Sequence, residues 1–369
     1  VASRERDRPR LGRRIGWALL AVFVTIAAFL SFAPTRVEPV AWPSPPATPL
    51  EGPWAPNEAL RTHAAIATGV GPEDTAIGPD GRLYTGLEDG RVVAIDLDGA
   101  DPGRTQTWHT TGGRPLGLAF ATDGSLWIAD ARRGLLHVDR EGTSIAAVTT
   151  ADDGSAIALA DELVLAQDGS VWFTDASSRW DVADSVRDAL ENRATGRVLH
   201  HDPTAGTTAV VFDGLRFANG IVLEAGEQSL LVSETFAYRV ARLWIAGPRK
   251  GTREVFADAL PGFVDNLDLD ADGTLWVAIP SRRSGLLDAL LPHPWARRVL
   301  SRIPLALQPE PAPYGFVIGL DAAGQPRFNL QDPTGGVHAI TSATPVGDDL
   351  VLGSLHADAL VRVRRPRPQ

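Results

Sequence analysis

The stretch Leu163–Asp175, LVLAQDGSVWFTD, decides the fold. Two alternating apolar runs flank Asp168-Gly169, and a two-residue Asp-Gly turn between such runs is the strongest short-range hairpin signal. The unit recurs. TAIGPDGRLYTG starts at Thr75, LAFATDGSLWIAD at Leu118, IVLEAGEQSLLVSE at Ile221, LDLDADGTLWVAI at Leu267 and ATPVGDDLVLGSL at Ala343. The turns fall at Asp80, Asp123, Asp168, Gly226, Asp272 and Asp348, with gaps of 43, 45, 58, 46 and 76 residues. A period near ~45 residues is that of four-stranded propeller blades, the longer gaps holding insertions. The expected fold is all-β: a six-bladed β-propeller with short helical insertions. Trp127, Trp172 and Trp276 share one repeat phase and read as blade packing.

Two insertions have helical spacing. DVADSVRDALENR (residues 181–193) places Val182, Val186 and Leu190 four apart, and SGLLDALLPHPWARRVL (residues 284–300) is interrupted by Pro292 and Pro294. Both read as excursions over one face of the propeller, forming a lid.

Ahead of the repeats the composition changes. Residues 1–14 hold six arginines, and Ile15–Ala33 is a 19-residue run without charge. Such a run spans about 28 Å as a helix, close to one bilayer core. It reads as one N-terminal transmembrane helix, a signal anchor at 15–33, with the arginine flank cytoplasmic and the propeller on the outer side. Cleavage after the small residues Ser31 and Ala33, releasing a secreted domain, is the alternative, and Pro34 hinders it. Residues 34–56 hold eight prolines and read as an extended linker and spacer, with the propeller at 57–369.

Composition excludes several functions. The 369 residues contain no Cys, so a disulfide framework, a thiol nucleophile and a zinc–thiolate site are ruled out. A net charge of −10 argues against nucleic acid as a partner. No Gly-x-Ser-x-Gly elbow is present, and His109, His200 and His201 read as strand-end histidines.

The repeat phase points to a site. Seven residues before each turn stand Glu73, Leu116, Asp161, Asn219, Asp265 and Thr341. Equivalent positions in rotationally related blades form a ring around the axis. Carboxylates brought together there repel, and burial raises the cost. A hard divalent cation resolves this: calcium, or another divalent cation, takes six to eight oxygens. Asp130, Asp175 and Glu234 return to the same end of their hairpins. Asp175 and Glu234, with His356 just past the last hairpin, are candidate substrate-binding residues.

FDGLRFANGIVLEAGEQSLLVSETFAYRVARLWIAGPRKGTREVFADALPGFVDNLDLDADGTLWVA, with GRVLHHDP upstream and LQDPTGGVHAITSATPVGDDLVLGSL downstream, resembles a known family. This is the strictosidine-synthase-like branch of the gluconolactonase, senescence-marker-protein and luciferin-regenerating superfamily, and within it the bacterial relatives of adipocyte plasma membrane-associated protein. The resemblance implies six blades and, in many members, an N-terminal anchor. It implies metal ligation by Glu73, Asn219 in FANG and Asp265 in PGFVDN, with Asp265 also the general base of the lactonases. Where the family has Asn-Asp-Leu, this chain has Asp161-Glu162-Leu163, which keeps an oxygen ligand and adds a charge. The glutamate that serves the plant synthase ahead of the last inner hairpin has no counterpart here, where His338 and Thr341 are nearest, and this argues against amine–aldehyde condensation. The expected function is a calcium-dependent hydrolase of lactones or related esters, with Asp265 as base or nucleophile. The alternative is a non-enzymatic, membrane-tethered binding propeller with structural calcium. A small molecule is the expected partner, beside the membrane.

Overall fold

The computed structural model describes residues 8–98, 102–143 and 145–367. Part of the arginine flank, Arg4 and Arg6 included, lies outside the described residues. Six four-stranded antiparallel sheets are arranged as blades. Blade 1 is Thr75–Ile77, Leu83–Gly86, Arg91–Ile95 and Thr105–Thr110; blade 2 is Pro115–Phe120, Leu126–Asp130, Gly134–Val138 and Ile145–Val148. Blade 3 is Ala160–Leu165, Val171–Asp175, Gly196–Asp202 and Thr207–Leu215; blade 4 is Ala218–Leu223, Ser229–Glu234, Arg239–Trp244 and Arg253–Ala257. Blade 5 is Leu267–Leu269, Leu275–Ala278, Gly315–Leu320 and Pro326–Asp332. Blade 6 takes Ile340–Val346, Asp349–Ser354 and Ala359–Arg364 from the end of the chain and its outer strand, Ala64–Ala67, from before blade 1. Ile66 pairs with Leu360 in that closure, so no open sheet edge is left between the first and last blades.

The apolar core lies between the blades. Trp127 packs with Leu163, Phe173 and Leu199 of the following blade, and Trp276 with Ala343 and Leu352. The tryptophans of the repeat are therefore spacers between blades, as their shared phase implies.

The inner strands are not regular. Register shifts fall between Pro115 and Leu118, Ala160 and Leu163, Ala218 and Ile221, and Ile340 and Ala343. Each is a bulge at the ring position and the residue after it. A bulge re-aims side chains that strict alternation would send to opposite faces, so both residues of each pair reach the axis region. Room there is short: a Cβ on Gly220 would lie 2.4 Å from the Leu267 nitrogen.

The insertions form a lid. Ser185–Glu191 rises from blade 3, and Gly285–Leu290 and Pro294–Leu300 from blade 5. The second stretch is interrupted where its prolines stand, into Gly285–Leu290 and Pro294–Leu300, and Pro294 opens the second of these helices. It sits at the first turn of its own helix, where its missing N–H costs nothing. The proline-rich segment 34–56 has no regular structure apart from a 3-10 turn at Gly52–Trp54, and it is not a free spacer. Val37 and Trp54 are buried, and the Val40 and Trp42 nitrogens donate to the Glu191 and Leu291 carbonyls at 3.0 and 3.1 Å.

Arg297 bolts these pieces together. Its side chain is fully buried, and its guanidinium donates to the carbonyls of Leu190 (2.8 Å), Glu191 (3.1 Å), Leu291 (2.8 Å) and Val40. Burial lowers its pKa to about 10, so it stays charged near neutrality. One cation thus satisfies carbonyls from both insertions and the strap. Arg297→Ala is expected to loosen the lid while the blades persist. Hydrogen exchange should accelerate across 37–42, 185–191 and 285–300 and stay unchanged in the inner strands; uniform protection would refute the role.

Candidate metal centre and active site

The four oxygen-bearing ring residues come together. Glu73, Asp161, Asn219 and Asp265 are all buried and line the floor of one cavity of about 610 Å³. Leu116, Leu159, Phe217, Phe236 and Phe263 form its walls, and Val186, Leu190, Leu287 and Leu300 of the insertions roof it. The FANG segment shows how the chain is delivered: Phe217 adopts a left-handed backbone (φ 62°) and packs its ring 4.5 Å from that of Phe236. That turn leads into the ring position at Asn219.

The two silent blades also contribute. Leu116 is wall. Thr341 Oγ1 donates to the Glu73 carbonyl at 2.7 Å, and Ser342 Oγ donates to the same oxygen at 2.8 Å. Thr174 Oγ1 donates to the Asn219 carbonyl at 2.7 Å, and the Asp265 nitrogen to the Ala278 carbonyl at 2.9 Å. Hydroxyls and backbone groups therefore fix the ring's main chain, leaving its side-chain oxygens for something else.

Reasoning on single repeat positions missed the second residue of each pair. Asn266 donates Nδ2 to Glu73 Oε1 at 3.0 Å, from blade 5 to blade 1. Asp74 and Glu162 are buried behind the ring. The adjacent pairs Glu73-Asp74, Asp161-Glu162 and Asp265-Asn266 carried the signal; Asp161-Glu162 lies in a bulge, and the other two pairs stand just ahead of their inner strands.

Electrostatics here are unfavourable as they stand. Burial, then the Arg114 guanidinium opposing it, leaves Glu73 with a pKa of about 7. Burial and then Glu73 push Asp74, Asp161 and Asp265 well above the carboxylate range; for Glu162 burial is followed by Asp74. Arg114 is itself buried, donates Nη1 to the Gly71 carbonyl at 2.8 Å and leaves Nη2 unpartnered at the cavity.

Three acceptors are orphaned: Glu73 Oε2, Asn219 Oδ1 and Asn266 Oδ1 are buried without a hydrogen-bond partner. Buried acceptors are ordinarily satisfied. Among the described residues no group of three or more His, Asp and Glu side chains alone is arranged to hold a metal ion. The donor set here includes two amide oxygens, and carboxylate with amide oxygen is the chemistry hard divalent cations select. The residues fit such an ion.

The remaining sequence candidates part company. His356 lines the cavity. Asp175 and Glu234 do not, and they are latches. Asp175 is fully buried, pairs with Arg197 and accepts from the Leu159 nitrogen at 2.8 Å. Glu234 pairs with Arg239 and accepts from the Arg216 nitrogen at 2.9 Å. Asp130 does likewise for the Arg114 nitrogen at 2.9 Å. Each carboxylate ties its strand end to a neighbouring loop. His338 is exposed and outside the cavity.

Against known proteins, the strictosidine synthase family profile matches residues 161–248, and the strictosidine synthase-like N-terminal profile residues 52–95. Adipocyte plasma membrane-associated protein of Homo sapiens is 32% identical over 376 residues, 95% of this chain and 89% of that protein. Protein STRICTOSIDINE SYNTHASE-LIKE 13 of Arabidopsis thaliana is 38% identical over 263 residues, 64% of this chain and 65% of that protein. Among solved structures, a gluconolactonase of Xanthomonas campestris superposes with a TM-score of 0.60 at 18% identity, covering 90% of this chain and 99% of its own. The calcium-binding protein regucalcin of Agrobacterium tumefaciens gives 0.55 at 16% identity, covering 83% and 98%. These structures share the propeller fold.

The raised carboxylates carry a pH signature. Between the ordinary glutamate value of 4.5 and about 7 the folded chain keeps a proton on Glu73 that the unfolded chain releases. Stability from this group is therefore full at low pH and lost as pH rises through about 7. In chelator, the unfolding temperature should fall from about pH 5 to about pH 8, and calcium should offset the fall. A melting temperature flat with pH and indifferent to calcium would contradict this account of the ring.

Proposed function

We propose, from the premise that this chain belongs to the strictosidine synthase-like family, that it is a divalent-cation-dependent hydrolase of apolar lactones or related esters. The observation that carries the reading is the pair of orphaned oxygens Glu73 Oε2 and Asn219 Oδ1, of residues that line the floor of a roofed apolar cavity with Asp265, with the orphaned Asn266 Oδ1 on the residue next to Asp265. The names of the gluconolactonase and the calcium-binding regucalcin, which share the fold, support the same direction.

Glu73, Asn219 and Asp265 would hold the cation, with Asp161 and Asn266 adjoining. Calcium, or another divalent cation, bound there supplies Lewis-acid polarisation of a substrate carbonyl. The chain's own residues do the rest. The walls take the apolar part of the substrate and, with the lid, exclude water. Asp265, its main chain fixed by Ala278 and its carboxylate hydrogen-bonded by Asn219, takes a proton from water or attacks the carbonyl carbon. A liganded carboxylate is a weak base, so its contribution is position. Asp161, in place of the family asparagine, adds negative charge to the floor and strengthens cation binding. The last blade offers the Thr341 and Ser342 hydroxyls where the plant synthase needs a carboxylate, so condensation chemistry has no acid there.

The N-terminal helix completes the reading. Arg8–Phe32 is a single helix, and its Arg13–Phe32 portion is apolar and fully outside the packed body. At about 30 Å it is long enough to cross a bilayer. We read it as an uncleaved anchor, arginine flank inside and propeller outside.

A panel of lactones and aryl esters, assayed with calcium and with chelator, tests the activity. Turnover should require the cation, and Asp265→Asn should lower kcat by about 10²–10⁴-fold without lowering the unfolding temperature. Calcium binding with no hydrolysis across the panel would leave a binding propeller with a structural ion and end the hydrolase reading.

A further inference from the structure

Outside the N-terminal helix, the exposed large apolar residues are unevenly placed. Val70, Ile77, Val211 and Val255 are scattered valines and an isoleucine on the blades. Among the described residues outside that helix, every exposed leucine and tryptophan lies between the second and third strands of blade 5: Trp295 (72% exposed), Leu307 (75%), Leu286 (52%) and Leu305 (47%); Val186 (46%) is on the blade 3 insertion. A water-facing lid has no use for such a cluster. Val186 and Leu286 also line the cavity, so the mouth opens within this face.

The helix ends on the same face. Arg302 donates to the Leu30 carbonyl at 3.0 Å and to the Ala33 carbonyl, occupying the helix's last acceptors, and Thr35 Oγ1 lies 3.0 Å from Ser301 Oγ. Thr35 is three residues past Phe32, so at most about 10 Å of chain separates the helix from the lid. Of the three arginines in residues 285–308, Arg297 is buried, Arg302 holds the end of the helix and Arg298 is exposed, against the single Asp288, in a chain of net charge −10. Tryptophan and leucine with arginine is the composition of an interfacial surface.

We infer that the lid face of Leu286, Trp295, Leu305 and Leu307 rests in the headgroup layer of the bilayer that the N-terminal helix enters, so that the cavity mouth opens onto the membrane. The inference rests on the anchor reading above and is independent of the hydrolase reading. It makes the bilayer the source of any apolar ligand that enters the cavity, whether or not that ligand is turned over.

The chain has no cysteine, so single cysteines can be labelled cleanly. The test places a fluorescent label on the full chain in phosphatidylcholine vesicles, as Trp295→Cys, Leu307→Cys, Phe23→Cys within the helix, and Ala205→Cys. Ala205 lies in the exposed turn between Asp202 and Thr207, at the end of blade 3 opposite the cavity. The labels at 295 and 307 should be quenched by nitroxide lipids at a depth of roughly 5–10 Å and protected from aqueous iodide. The label at 205 should show the reverse, and that at 23 should report the deepest nitroxides. If 295 and 307 respond to iodide as 205 does while 23 lies deep, the lid inference fails and the anchor stands. If 23 is not reached by nitroxide lipid, both fail. If 295 and 307 are shielded from both quenchers, protein covers the face, as in a dimer, and the inference fails again. No readout needs turnover, so the hydrolase reading is judged separately.

Discussion

Five carboxylates, Glu73, Asp74, Asp161, Glu162 and Asp265, are held out of water around one axis, and their mutual repulsion is the constraint to which the rest of the structure answers. Burial penalises each charge, and proximity penalises each further one. Arg114 relieves part of the strain on Glu73, and Asn266 part by a hydrogen bond. The rest is left either to protons or to a cation. The hydroxyls of Thr341, Ser342 and Thr174 spend themselves on the ring's backbone, not on its carboxylates. A fold that only needed to close would have placed leucines there, as it does at Leu116.

Propeller geometry makes the arrangement affordable. The blades pack through Trp127, Phe173, Trp276 and their neighbours, well away from the axis. Closure of blade 6 by Ala64–Ala67 holds the circle shut. Stability therefore resides in the walls between blades, and the axis can carry an unfavourable cluster. The latches Asp175–Arg197 and Glu234–Arg239 fix the strand ends that the site depends on. Arg297 does the same for the lid by serving backbone carbonyls rather than a carboxylate.

Roof and floor work together electrostatically. Apolar walls and the insertions surround the approach to the ring, and a low-dielectric surrounding strengthens the electrostatic interactions made there. The same apolar character reaches the outer surface at Trp295 and Leu307 and adjoins the end of the helix. Floor, cavity and surface thus form one gradient, from charge at the axis to lipid-like side chains at the lid.

The sequence by itself determined the blade count, the tryptophan spacers, the lid insertions and the ring. A hairpin repeat has a fixed phase, and rotation of identical units converts equal sequence offset into equal position about an axis. Glu73, Asp161, Asn219 and Asp265 were legible for that reason. Their partners were not. Glu162 is placed by a bulge of its inner strand, which leaves no mark in alternation, and Asp74 and Asn266 stand just ahead of theirs, where alternation does not reach. Asp175 stands seven residues past its turn and Glu234 eight past its own, yet only the tertiary structure showed Arg197 and Arg239 paired with them. Composition kept most of 34–56 out of regular structure, and packing decided that it is a strap. Local periodicity reports which way a residue points along its own strand; which charge, carbonyl or neighbouring blade it meets is settled only when distant segments close the circle.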